Sequence, residues 1–122
     1  MNKFDLEERL IEFAALIVQI TEAMPPSRAA NHLGGQLLRS GTSAALNYGE
    51  ALGGESRNDF VHKIKVSLKE LRENMVCLKI IERTNLYSEE SAIRLALREN
   101  NELISIFVKS CLTAQQNGLK PK

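Results

Sequence analysis

The chain has 122 residues, 43% apolar and 25% charged, with a formal net charge of +1. That composition is ordinary for a soluble globular protein and excludes one that coats nucleic acid by bulk charge alone, while leaving room for a local basic face. A chain of this length buries roughly two-thirds of its unfolded surface, so residues 1–122 are expected to form one domain around one core.

The first element is predicted over residues 5–24. Leu6, Leu10, Phe13, Ile17, Ile20 and Met24 alternate spacings of four and three, the seam of an amphipathic helix. Pro25-Pro26 ends it, and Ser27 can cap a second helix over 27–53 that stops at Gly53-Gly54. Ser56 and Asp59 then form an S-x-x-D capping box for a third helix over 57–84, with Phe60, Ile64, Leu68, Leu71, Met75 and Leu78 as its seam. In "TNLYSEES", Ser88 is the expected cap of a fourth helix over 89–115, where Glu89 and Glu90 complement the helix dipole. Its expected buried positions are Ile93, Leu97, Ile104, Phe107 and Cys111, and "NGLKPK" is expected to fray. Short connections make neighbouring helices antiparallel. The fold class is therefore all-α, an up-down-up-down four-helix bundle.

Helix two is unusual in being small. "QLLRSGTSAALNYGEALGG" carries Gly41, Gly49, Gly53 and Gly54, and a glycine within a helix costs roughly 0.5–1 kcal/mol relative to alanine. Leu37, Gly41, Ala45, Tyr48 and Leu52 share a face with almost no volume at its centre, which permits close helix approach inside the bundle or between subunits. Arg39, Ser43, Asn47 and Glu50 form a polar stripe. It is either solvated or meets helix three, with Asn47 and Glu50 facing Ser67 and Glu70 in a hydrogen-bonded layer.

"QLLRSGTSAALNYGEALGGESRNDF" followed by "HKIKVSLKELRENMVCLKIIER" resembles the four-helix-bundle family of proteins encoded in intervening sequences of bacterial 23S ribosomal RNA genes. The resemblance runs from "FDLEERLIEFA" to "NELISIFVKS". Its most specific pieces are Gln36–Arg39, Ser43, the N-x-x-E of Asn47 and Glu50, and S-L-x-E-L at Ser67–Leu71, which includes Glu70. It implies a left-handed antiparallel bundle that assembles as a ring-like homo-oligomer, typically a pentamer. It also implies kinship with accessory proteins of diversity-generating retroelements, which bind RNA together with a reverse transcriptase.

Lys65, Lys69, Arg72, Lys79 and Arg83 recur at i, i+4, i+7, i+14 and i+18. At 100° per residue they occupy a stripe about 80° wide beside the apolar seam. Cations so arranged are the footprint of phosphate binding, because each contact releases a condensed counterion. Arg39, or Arg94 and Arg98, can extend the patch. The stripe can equally pair with acidic helix one (Asp5, Glu7, Glu8, Glu12 and Glu22) on a neighbouring subunit, or remain solvated. The expected partners are a second copy of the chain and either RNA or a nucleic-acid-handling protein. A protein-only adaptor without nucleic-acid affinity is the alternative.

Catalysis is not expected. A di-metal bundle needs paired E-x-x-H motifs, and the chain holds two His, with Asp59 and His62 in a lone D-x-x-H. Gly34-Gly35 and Gly53-Gly54 lack phosphate-loop spacing. No metal or cofactor is expected. Cys77 and Cys111 fit buried free thiols in a reducing cytosol. No apolar run nears the roughly 20 residues that span a bilayer, and the acidic start is unlike a signal peptide. These features suggest a cytoplasmic protein.

Overall fold

Four helices account for the fold in a computed structural model that describes residues 1–54 and 56–119. They are α1 (Lys3–Glu22), α2 (Arg28–Leu52), α3 (Arg57–Thr84) and α4 (Glu90–Leu119). Each packs on its neighbours in chain order and α1 closes the bundle on α4, so α1 and α3 are diagonal, as are α2 and α4. The architecture is the expected all-α four-helix bundle.

The helix ends are set by short polar side chains. Asn2 accepts the Phe4 and Asp5 amides, both at 2.9 Å, and Asp5 accepts the Asn2 amide at 3.1 Å. This capping box starts α1 two residues before the predicted position. Ser27 caps α2 through the Ala30 amide and Ser56 caps α3 through the Asp59 amide. Asn85, in the left-handed region at φ 54°, ends α3. The start of α4 differs from expectation: the Glu89 carbonyl, not Ser88, receives the Ala92 and Ile93 amides. Its end differs too. The helix runs on to Leu119 past the expected 115, so 117–119 of the expected frayed tail are helical; residues 120–122 lie outside the described residues.

The core mixes predicted and unpredicted residues. On α1, Leu6, Leu10, Phe13, Ile17 and Ile20 are buried as their spacing requires. On α4, Ile93, Phe107 and Cys111 are buried, but Ala96, Asn100 and Leu103 share the interior and Leu97 and Ile104 stand at its edge. On α3, Ile64, Leu71 and Leu78 are joined by Ser67, Asn74 and Cys77, whereas Phe60, Leu68 and Met75 are half-buried.

These interior polar groups bond to neighbouring backbones. Asn74 Nδ2 donates to Leu37 O and Ser40 Oγ, each at 2.8 Å. Ser67 Oγ donates to Ala44 O at 3.0 Å, and Cys77 Sγ to Leu33 O at 3.3 Å. Asn100 Nδ2 donates to Leu71 O at 2.9 Å, tying α4 to α3. A serine side chain reaches another helix's carbonyl only where the two backbones nearly touch. The small face of α2 makes that contact within the bundle. A β-carbon at Gly41 would lie 2.9 Å from Ile17 Cγ2 and 3.1 Å from Asn74 Nδ2.

Gly41→Ala is therefore expected to destabilise the protein by about 1–3 kcal/mol through overpacking, although alanine is the better helix former. Gly35→Ala meets nothing within 4 Å and should stabilise by about 0.5–1 kcal/mol. Urea unfolding of the two variants checks the opposite signs. Asn74→Ala removes two bonds and leaves a cavity, and the same assay should register a loss of about 2 kcal/mol.

Candidate interaction surfaces

The predicted basic stripe of α3 faces solvent. Lys65, Lys69, Arg72, Lys79 and Arg83 are all exposed, and none forms an ion pair among the described residues. Val76 and Ile80, also exposed, lie within or beside the same stripe. Arg39 does not extend this patch. It donates to Glu70 at 2.8 Å, to Glu73 and to Gln36, so its charge is committed within the chain. That hydrogen bond is the main reason the Glu73 carboxyl is held below the usual range, with Lys69 adding to it. Arg94 lies 3.8 Å from Glu90, and Arg98 is exposed on α4.

The expected layer of Asn47 and Glu50 against Ser67 and Glu70 is not formed. Asn47 Nδ2 donates to Ser43 O at 2.9 Å and Ser43 Oγ at 3.0 Å on its own helix. Glu50 accepts from Lys63 at 2.5 Å, Ser67 bonds Ala44, and Glu70 takes Arg39. The antiparallel register puts residue 44 against 67, 39 against 70 and 50 against 63, so Glu50 and Glu70 lie at different levels. The layer that does cross between α2 and α3 is Ser40, Asn74 and Ser67 with the Arg39 cluster.

One face escaped the periodicity reading. Phe4, Ile11 and Val18 are exposed on α1, spaced by sevens, so they form an apolar line on the outer side of the helix. The spacing is present in the sequence, but the stronger seam from Leu6 to Ile20 masks it. Beside this line, a groove of about 470 Å³ between α1 and α4 is lined by Glu8, Glu12, Glu99 and the exposed Leu95. Arg9 crosses it, donating to Glu99 at 2.5 Å and to Glu102. Because α1 and α3 are diagonal, the apolar, acidic outer side of the bundle and its basic side point in opposite directions.

No group of three or more His, Cys, Asp or Glu converges among the described residues, and His32 and His62 are exposed. No helix among those residues is long and apolar enough to cross a membrane.

Residues 2–108 match the family described as 23S rRNA-intervening sequence protein. The chain belongs to that family. Its fold is similar to a crystal structure from Bacteroides thetaiotaomicron, described as a protein with unknown function from the S23 ribosomal protein family. The TM-score is 0.80 at 26% identity, covering 87% of this chain and 97% of that one. No curated protein matches.

Both thiols are free and buried. Burial, with a smaller contribution from Glu73, pushes the Cys77 thiol up to about 11 from 9.0. At pH 8 its thiolate fraction is then about a hundredfold below that of an ordinary thiol, so native Cys77 should react at least tenfold more slowly with iodoacetamide than the urea-unfolded chain. The sign of the coupled stability follows. The contribution is fully present below pH 9, where both states keep the proton, and is lost between 9 and about 11 as the unfolded state releases it first. A Cys77→Ala variant should lose stability less steeply over that interval in alkaline urea titrations.

Proposed function

We propose that this protein is a non-enzymatic, cytoplasmic interaction module that assembles into a ring-like homo-oligomer, a pentamer as its family resemblance implies, and offers RNA the basic stripe of α3. The observation that carries this reading is the outward stripe of Lys65, Lys69, Arg72, Lys79 and Arg83, none ion-paired among the described residues. Five like charges on one helix face repel one another, and a polyanion relieves that repulsion while releasing its own counterions. Repeating the stripe around an oligomer multiplies weak contacts into useful avidity. The exposed line of Phe4, Ile11 and Val18 supports self-association, since burying it against another copy removes apolar surface from water. Free buried thiols suit a reducing compartment.

A protein-only adaptor is the second reading, and Val76 and Ile80 favour it. Exposed apolar side chains among cations suit a protein surface better than a phosphate backbone. The acidic α1–α4 groove of a neighbouring copy is complementary to such a stripe, and an interface of two unlike faces closes a ring when its rotation permits.

Lys65→Glu with Lys69→Glu separates the readings. Fluorescence anisotropy of labelled structured RNA, with sedimentation velocity on the same samples, should find at least tenfold weaker RNA binding and an unchanged oligomer. The salt slope should fall by about 2, one for each phosphate contact removed. Loss of the oligomer itself would assign the stripe to the subunit interface. RNA binding that survives the double change would sink the nucleic-acid reading.

A further inference from the structure

A second feature lies away from both outer faces, at the end of the bundle where α1 and α3 begin. There a cleft of about 490 Å³ opens between α1, α3 and α4, over Tyr48 of α2. Its base is apolar: Leu6, Tyr48 and Ile64 are buried and Phe60 is half-buried. From α4 the cleft is lined by Ile106 and by the small Ser110, Thr113 and Ala114. At its rim stand Lys3, Arg57 and Lys109, one from each of the three helices. No carboxylate lines it among the described residues, and none of these cations is ion-paired there.

An apolar pocket ringed by cations from separate helices is chemically selective. It favours a ligand that is greasy at one end and negative at the other. Lys3 Nζ lies 5.3 Å from the Phe4 ring centroid, but a neutral apolar molecule would leave all three cations without a counter-anion, and a hydrophilic anion would leave the base unfilled. The volume lies within the range that encloses small organic ligands. We infer that this cleft binds a small amphiphilic carboxylate, with its hydrocarbon part against Leu6, Phe60 and Ile64 and its carboxylate between Lys3, Arg57 and Lys109.

Tyr48 supplies a built-in reporter. Its ring lies 5.4 Å from Phe107 in an edge-on contact, its hydroxyl donates to Lys3 O at 3.3 Å, and the chain has no Trp and two Tyr. A hydrocarbon chain entering the cleft changes the medium around that ring.

Decanoate titrated into the full-length protein, followed by calorimetry and tyrosine emission, tests the assignment. We expect saturable binding at one decanoate per subunit below the onset of micelles, with a change in tyrosine emission. Decyltrimethylammonium, with the same tail and the opposite charge, should bind at least tenfold more weakly. Lys3→Glu with Lys109→Glu should weaken decanoate at least tenfold while circular dichroism retains the helical melt. If that variant does not fold, the comparison of head groups on the wild-type protein decides alone. Absence of saturable binding, equal affinity for the two head groups, or affinity unchanged in the folded charge-reversed variant would each overturn the inference.

Discussion

At Gly41 α2 packs against both Ile17 of α1 and Asn74 of α3, and no side chain larger than hydrogen fits there without displacing Ile17 or the Asn74 amide. That approach brings the Leu37 and Ala44 carbonyls within reach of Asn74 and Ser67. The Oδ1 atoms of Asn74 and Asn100 are buried without a hydrogen-bond partner among the described residues. Each such acceptor costs about 1–3 kcal/mol, so the polar ladder is a poor device for stability alone. What it does supply is register. A slip of α3 along α2 would leave every one of these groups unsatisfied at once, whereas a purely apolar seam tolerates sliding.

Fixing the register fixes what the surface displays. Arg39 meets Glu70 and Glu73 only at this level of α2 against α3, and that pairing withdraws Arg39 from the surface cations. Lys65, Lys69, Arg72, Lys79 and Arg83 of α3 are left on one outer side, and the apolar line and carboxylates of α1 on the other, because those helices are diagonal. A near-neutral chain thus has two chemically opposite sides. Neither its net charge of +1 nor its overall apolar content reveals that polarity.

Much of this was legible in the residues. Spacings of three and four place Leu6 to Ile20 in the α1 interior as found, but Met24, the last expected seam position, lies past the helix end at Glu22 and is half-buried. The exposure of the α3 cations followed from their angular distance from the apolar seam. Where polar residues occupy the interior, apolar spacing alone misplaces the buried face. Asn100 interrupts the apolar pattern of α4, which shifted the expected interior to Leu97 and Ile104 and away from Ala96 and Leu103. Ser67 and Glu70 were recognised as special, but their partners were not, because the register of one helix against another is absent from either helix's own periodicity. The end cleft was invisible for a related reason: it is made of side chains from all four helices that are far apart in the chain.

If the outer faces of this bundle are contact surfaces, the protein in solution is an assembly that retains nucleic acid at low salt. Light scattering behind size exclusion, recorded at 260 and 280 nm on protein purified at low salt, measures this most directly. The chain has no Trp and two Tyr, so a trace of bound RNA dominates the absorbance ratio. The expected result is a mass that is a multiple of 13.6 kDa, with excess 260 nm absorbance that high salt removes. A clean 13.6 kDa monomer, free of nucleic acid at every salt concentration, would contradict it.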